Sequence, residues 1–197
     1  MKLFRRDPDK VPVFTVRGAM TAPYLLCAVY FIYAAWRYAS VDANGDYSSL
    51  FYFIHAPIHE VGHMVLSPFP EMLHVAGGTI FQCLTPVAVA IQFLCVGEFP
   101  AVAVALGWLG MALLDTMVYM RDAPVLELPL TAPFANGEDL IHDWEYIFAH
   151  TGTLNKAETF ASITGFFGYT LALAAALWIL FMIVRGWTEF FAEKRGR

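Results

Sequence analysis

The residues that invite chemistry are His59-Glu60-Val61-Gly62-His63, set inside an apolar run. In a helix, residues four apart project from one face about one turn apart. Both imidazoles therefore reach one tetrahedral metal ion, with Glu60 beside them. Zinc suits this arrangement: it lowers the pKa of water in its open position to near 7, and Glu60 takes the proton as the water attacks a polarised carbonyl. The chemistry expected is metal-assisted hydrolysis of a peptide bond, with Glu60 as general base. The run is long enough to cross a bilayer, and a charge at the bilayer centre costs roughly 2.5–3.5 kcal/mol on insertion scales, so ionisable groups there mark function by default. The competing role is a polar face satisfied by hydrogen bonds between helices.

Zinc with one open position needs a third protein ligand. His55 continues the stripe, but three histidines at i, i+4 and i+8 span about 12 Å of rise, too far for one ion with bonds near 2.1 Å. It is expected instead to support the site or line a path to it. Three places compete for the third ligand. His142 is favoured, in the polar stretch Gly137 to Trp144, with its neighbour Asp143 as an alternative. Asp115, an acid in an otherwise uncharged run, is the second. The third place is His74 or His150, each of which also reads as an interfacial or exposed histidine, while Asp122 reads as a carboxylate that orients the site.

The elements that must hold these residues are membrane helices. Of 197 residues, 58% are hydrophobic and 15% charged, against roughly 45–50% and 25% in soluble domains. So much apolar surface does not fit inside a soluble core of this size. A net charge of −5, with no long basic run, argues against nucleic-acid binding. Cys27, Cys83 and Cys95 lie in apolar runs without ligand spacing and read as core residues.

Five apolar stretches are long enough to span, over 19–36, 50–69, 75–96, 99–120 and 160–184. The fold class expected is an all-α polytopic bundle, a single membrane-embedded domain over 19–197 behind a basic N-terminus, 1–18. The long hydrophilic stretch is 121–159; near 138–154, Leu140, Ile141, Trp144, Ile147 and Phe148 recur at helical spacing, as in an amphipathic or re-entrant helix. Gly77-Gly78, Gly107 and Gly110 read as places where helices approach closely.

Charge sets orientation. Lys2, Arg5, Arg6, Lys10 and Arg17 favour a cytoplasmic N-terminus. A full crossing by the second stretch then puts His59 and His63 in its cytoplasmic half, and span four delivers His142 to the same side. Five crossings, however, leave Arg185, Lys194, Arg195 and Arg197 outside, against the positive-inside rule. One element is therefore an exception, a re-entrant hairpin, or deeper than it reads.

The HEVGH sequence in an apolar helix resembles the site-2 protease family of intramembrane zinc metalloproteases. Members pair such a helix with an aspartate two spans later, usually as Leu-Asp-Gly; here Leu114-Asp115-Thr116 lacks the glycine. The chain also resembles small bacterial membrane proteins loosely grouped with these peptidases, in which Tyr-x-x-Asp-Ala (Tyr119 to Ala123) precedes His-Asp-Trp (His142 to Trp144). The resemblance covers roughly 59–154. It implies a zinc site, a bacterial cytoplasmic membrane, and a membrane-protein or peptide substrate. The alternative from another class is a non-catalytic membrane metal-binding protein, a carrier or sensor.

Overall fold

The computed structural model describes residues 13, 15–40, 49–128 and 141–196; the early basic residues Lys2 to Lys10 and the stretch Glu138 to Leu140 lie outside them. The chain is an all-α bundle. Six α-helices are described: α1 (Thr21–Ala39), α2 (Tyr52–Leu66), α3 (Glu71–Val96), α4 (Phe99–Asp122), α5 (Asp143–His150) and α6 (Ala157–Arg195). The helical stretches containing α1, α3, α4 and α6 are long and apolar enough to cross a membrane, as an integral membrane protein requires. Their outward faces fit that solvent: Phe166, Leu173, Leu177, Phe181 and Val184 form an exposed apolar stripe along α6.

α4 is the spine. Its Gly110, Leu114 and Met117 share one face, and Trp108, Asp115, Tyr119 and Asp122 share the opposite one, since each residue advances the helix by 100°. The first face packs on α6 with almost no side chain between the backbones: a Cβ on Gly110 would lie 2.7 Å from the backbone nitrogen of Ala172. Without a hydrophobic drive between helices in lipid, such small-residue seams let dispersion act at close range. α1 closes against the same spine, with the Phe31 ring seated over Gly107.

α2 and α3 form a hairpin ended and restarted by Ser67 to Pro70. Pro70 precedes the first turn of α3, where the backbone needs no donor. Their axes approach through Gly62 and Gly77: a Cβ on Gly77 would lie 2.6 Å from the carbonyl oxygen of Gly62. Gly97, in the left-handed region at φ 76°, ends α3, and Pro100 opens α4.

The second apolar stretch, expected as a span over 50–69, forms a shorter helix that is not among the four long and apolar enough to cross. α2 has fifteen residues, a length of roughly 22 Å against a hydrocarbon core of about 30 Å. Its start is tied to the middle of α1. The backbone N–H of Leu50 donates to the Tyr30 hydroxyl at 2.6 Å, and Phe51 packs on Phe31 with ring centroids 6.2 Å apart. Tyr30 lies nine residues, roughly 14 Å, before the end of α1. From mid-depth α2 climbs back toward the end of the bundle where α3 starts and α4 finishes. α2 thus starts beside the middle of α1, and the four long helices put the start of α1 and the end of α6 at one end of the bundle. There the backbone N–H of Val16 donates to the Met182 carbonyl at 3.1 Å, and Arg17 lies 3.4 Å from Glu193.

Candidate metal centre

α2 turns His55, His59, Gly62 and His63 inward and leaves Phe53, Val61 and Met64 exposed. One ligand atom each from His59, His63 and Asp143 lies within 4.8 Å of the others. His59 Nε2 is 2.8 Å and His63 Nε2 3.3 Å from the same oxygen, Asp143 Oδ2. The two histidines are about one-sixth exposed at the side chain, and Asp143 is buried.

The opposite ring nitrogens are both held by carbonyl oxygens. His59 Nδ1 lies 3.2 Å from Gln82 Oε1. That amide is oriented by its own NH2 group, which donates to the Ala112 carbonyl at 3.2 Å, so an acceptor faces His59. His63 Nδ1 lies 3.0 Å from the His74 carbonyl. Each Nδ1 therefore carries the proton and donates it, and each Nε2 turns a lone pair toward the Asp143 carboxylate. Two lone pairs and an anionic oxygen in one place repel unless a positive charge stands among them, either a proton on each ring or a metal ion.

The sequence matches no known family model, and comparison with curated proteins and with solved structures returns no match. The case for the site therefore rests on its geometry.

Asp143 is placed by its neighbours. It is the first residue of α5, and its backbone N–H donates to the Tyr119 hydroxyl at 3.2 Å. Burial raises its carboxyl pKa, but when a proton sits on each Nε2 as well, the two charged imidazoles donate to the carboxylate and hold it below the usual carboxylate range.

His142, the favoured third ligand in the sequence, does not join the pair. It caps α5: its Nδ1 accepts the Glu145 backbone N–H at 3.1 Å, so its neutral ring carries the proton on Nε2, which donates to Asp122 Oδ2 at 3.0 Å. Both nitrogens are used. Burial, opposed by the Asp122 charge, lowers its pKa, which keeps the ring neutral. The other oxygen of Asp122 accepts the backbone N–H groups of Glu127 and Leu128, at 2.8 and 3.0 Å. Asp122 thus acts on the centre through His142, by fixing where α5 begins.

Asp115 and His55 meet each other rather than the pair. The Trp108 indole donates to His55 Nε2 at 2.8 Å; because an indole only donates, the His55 proton is on Nδ1, which donates to Asp115 Oδ2. Asp115 Oδ1 accepts from the Tyr38 hydroxyl, which in turn accepts the Ser49 backbone N–H at 3.2 Å. This chain ties α1, α2 and α4 together below the centre. Glu60 is half-buried beside the pair, within electrostatic reach of His63 and Tyr119. His74 contributes its carbonyl, and His150 stacks on Tyr146 at 3.8 Å away from the centre.

Sequence reasoning missed Trp108 and Tyr38, and met Tyr119 only as part of the Tyr-x-x-Asp-Ala resemblance, without a role. Trp108 and Tyr119 were legible as α4 partners: Asp115 minus seven and plus four fall on the face of an aspartate already marked as costly. Gly78 also belongs to the centre, since a Cβ there would collide with the His59 ring.

Proposed function

We propose that the protein is a membrane-embedded zinc metallopeptidase, site-2-protease-like in its HEVGH helix, with His59, His63 and Asp143 as metal ligands and Glu60 as general base. The observation that carries this reading is the orientation of the two imidazoles, each anchored through Nδ1 so that Nε2 meets Asp143. Two nitrogens and one carboxylate oxygen are the donor set of hydrolytic zinc, with a fourth position for water.

When bound, the metal supplies Lewis-acid polarisation of water and of a substrate carbonyl. The chain's own residues do the rest. Gln82 and the His74 carbonyl fix the imidazole tautomers and raise their basicity as ligands. Glu60 makes no hydrogen bond among the described residues, so its carboxylate is available to accept the proton of the attacking water and return it to the leaving amine. The setting proposed is a bacterial cytoplasmic membrane with the N-terminus in the cytoplasm, and the substrate a membrane-protein or peptide segment.

The test is zinc content and peptide hydrolysis of the purified full chain, wild type against Glu60→Gln. One zinc per chain in both, with hydrolysis of a peptide library reduced about 10²- to 10⁴-fold by the substitution, is the expected result. Zinc that binds and exchanges freely, with no hydrolysis by wild type and altered occupancy in Glu60→Gln, makes the protein a carrier or sensor instead.

A further inference from the structure

The half-depth course of α2 decides which compartment the centre serves. One end of the bundle gathers the N-terminal segment, the α3–α4 turn and the last turns of α6. The backbone N–H of Val13 donates to the Gly97 carbonyl at 2.7 Å and that of Val16 to Met182 at 3.1 Å, and a Cβ on Gly186 would lie 2.5 Å from the Val16 carbonyl oxygen. The metal centre is at the other end. His63 lies against the start of α3 through the His74 carbonyl, and Asp143 against the end of α4 through Tyr119, His142 and Asp122.

The charges divide the same way. Of the twelve Lys and Arg residues only Arg37, Arg121 and Lys156 belong to the end that holds the centre; the others precede α1 or lie from Arg185 onward. Among the described acids at the two ends, Glu71, Glu127, Glu145 and Glu158 belong to the centre's end, and Glu98, Glu189 and Glu193 to the other. Lys/Arg bias sets orientation, and the end that carries the excess stays in the cytoplasm. With four crossings and a half-depth α2, the N-terminus and the basic tail obey that rule together, which a five-crossing path does not allow.

We infer that the centre opens to the side of the membrane away from the cytoplasm, and that it takes its zinc and its substrate, a peptide segment exposed at that membrane face, from that compartment. The substrate half of this inference rests on the peptidase reading; the orientation does not.

The test uses the full-length protein in bacterial membranes. Right-side-out and inverted vesicles are treated with a membrane-impermeant chelator, then washed, and zinc per chain is measured. Loss of the zinc from right-side-out vesicles and its retention in inverted ones is expected; the reverse overturns the inference. A second measurement does not depend on metal. Asn155→Cys is exposed at the centre's end and Ala192→Cys at the other, and each is exposed to an impermeant maleimide in intact spheroplasts, with the wild type as background for the native cysteines. Asn155→Cys labelled at once and Ala192→Cys only after permeabilisation supports the orientation, and the opposite pattern overturns it. Vesicles without zinc in either orientation defeat the metal reading, and the labelling then still decides the side.

Discussion

At the residue scale the centre is a matter of which nitrogen and which oxygen face inward. The HEVGH spacing already placed two imidazoles on one face, because four residues advance a helix by little more than one turn. The choice between His142 and Asp143 was not legible: adjacent residues differ only in which of them caps α5, and the cap depends on Asp122 at the end of the preceding helix. The consequence is testable by exchange. Asp143→Asn removes a ligand and its charge, and elemental analysis should find zinc lost; Glu145 N–H and Asp122 lose a partner in His142→Ala, so that variant should be less stable yet still bind zinc when it is supplied in excess. Gln82→Leu takes away the acceptor for His59 Nδ1–H and should weaken zinc binding by about 10- to 100-fold, read by competition with a chelator of known affinity. Gly78→Ala should act on the same quantity by a different route. Its methyl group would occupy the place of the His59 ring, so zinc per chain should fall while helicity stays at the wild-type level.

Between elements, the buried chain from Trp108 through His55 and Asp115 to Tyr38 holds α2 at its depth. Hydropathy identified the 50–69 stretch as apolar and could go no further, because an apolar run fixes how much chain lipid will tolerate, not where its helix begins. That depth is set by Tyr30, Tyr38 and Phe31 on α1 and by Trp108 on α4, contacts distant in sequence. α5 was legible from its periodicity, whereas its docking on α4 through the Tyr119 hydroxyl was not. Asp115 is the pivot of the network, with both carboxylate oxygens accepting. In Asp115→Asn one oxygen becomes an NH2 group facing a donor. The buried donor left without an acceptor costs roughly 1–3 kcal/mol, so thermal unfolding in detergent should shift down. Zinc content at saturation should stay at the wild-type level, which separates a support of α2 from a ligand.

Across the whole molecule, α4 serves two faces that need not fail together. One face carries Trp108, Asp115, Tyr119 and Asp122 toward α2 and α5; the other presents Gly110 to the backbone of α6, where the carbonyl of Gly168 and the nitrogen of Ala172 would lie 2.9 and 2.7 Å from an added Cβ. Backbone atoms do not move aside as a side-chain end does, so Gly110→Ala must part the two helices along the seam. Overpacking of this kind costs about 1–3 kcal/mol, and the loss is larger where dispersion across a small-residue contact is the main force joining the helices. The expected outcome is a clear fall in the unfolding temperature in detergent, with zinc per chain at saturation unchanged because α2, α3 and α5 meet the opposite face. Gly78→Ala should give the inverse signature, zinc lost and the unfolding temperature nearly kept. If Gly110→Ala instead releases zinc as readily as Gly78→Ala, α4 transmits displacement from one face to the other, and the centre depends on the packing of the whole bundle rather than on its own three helices.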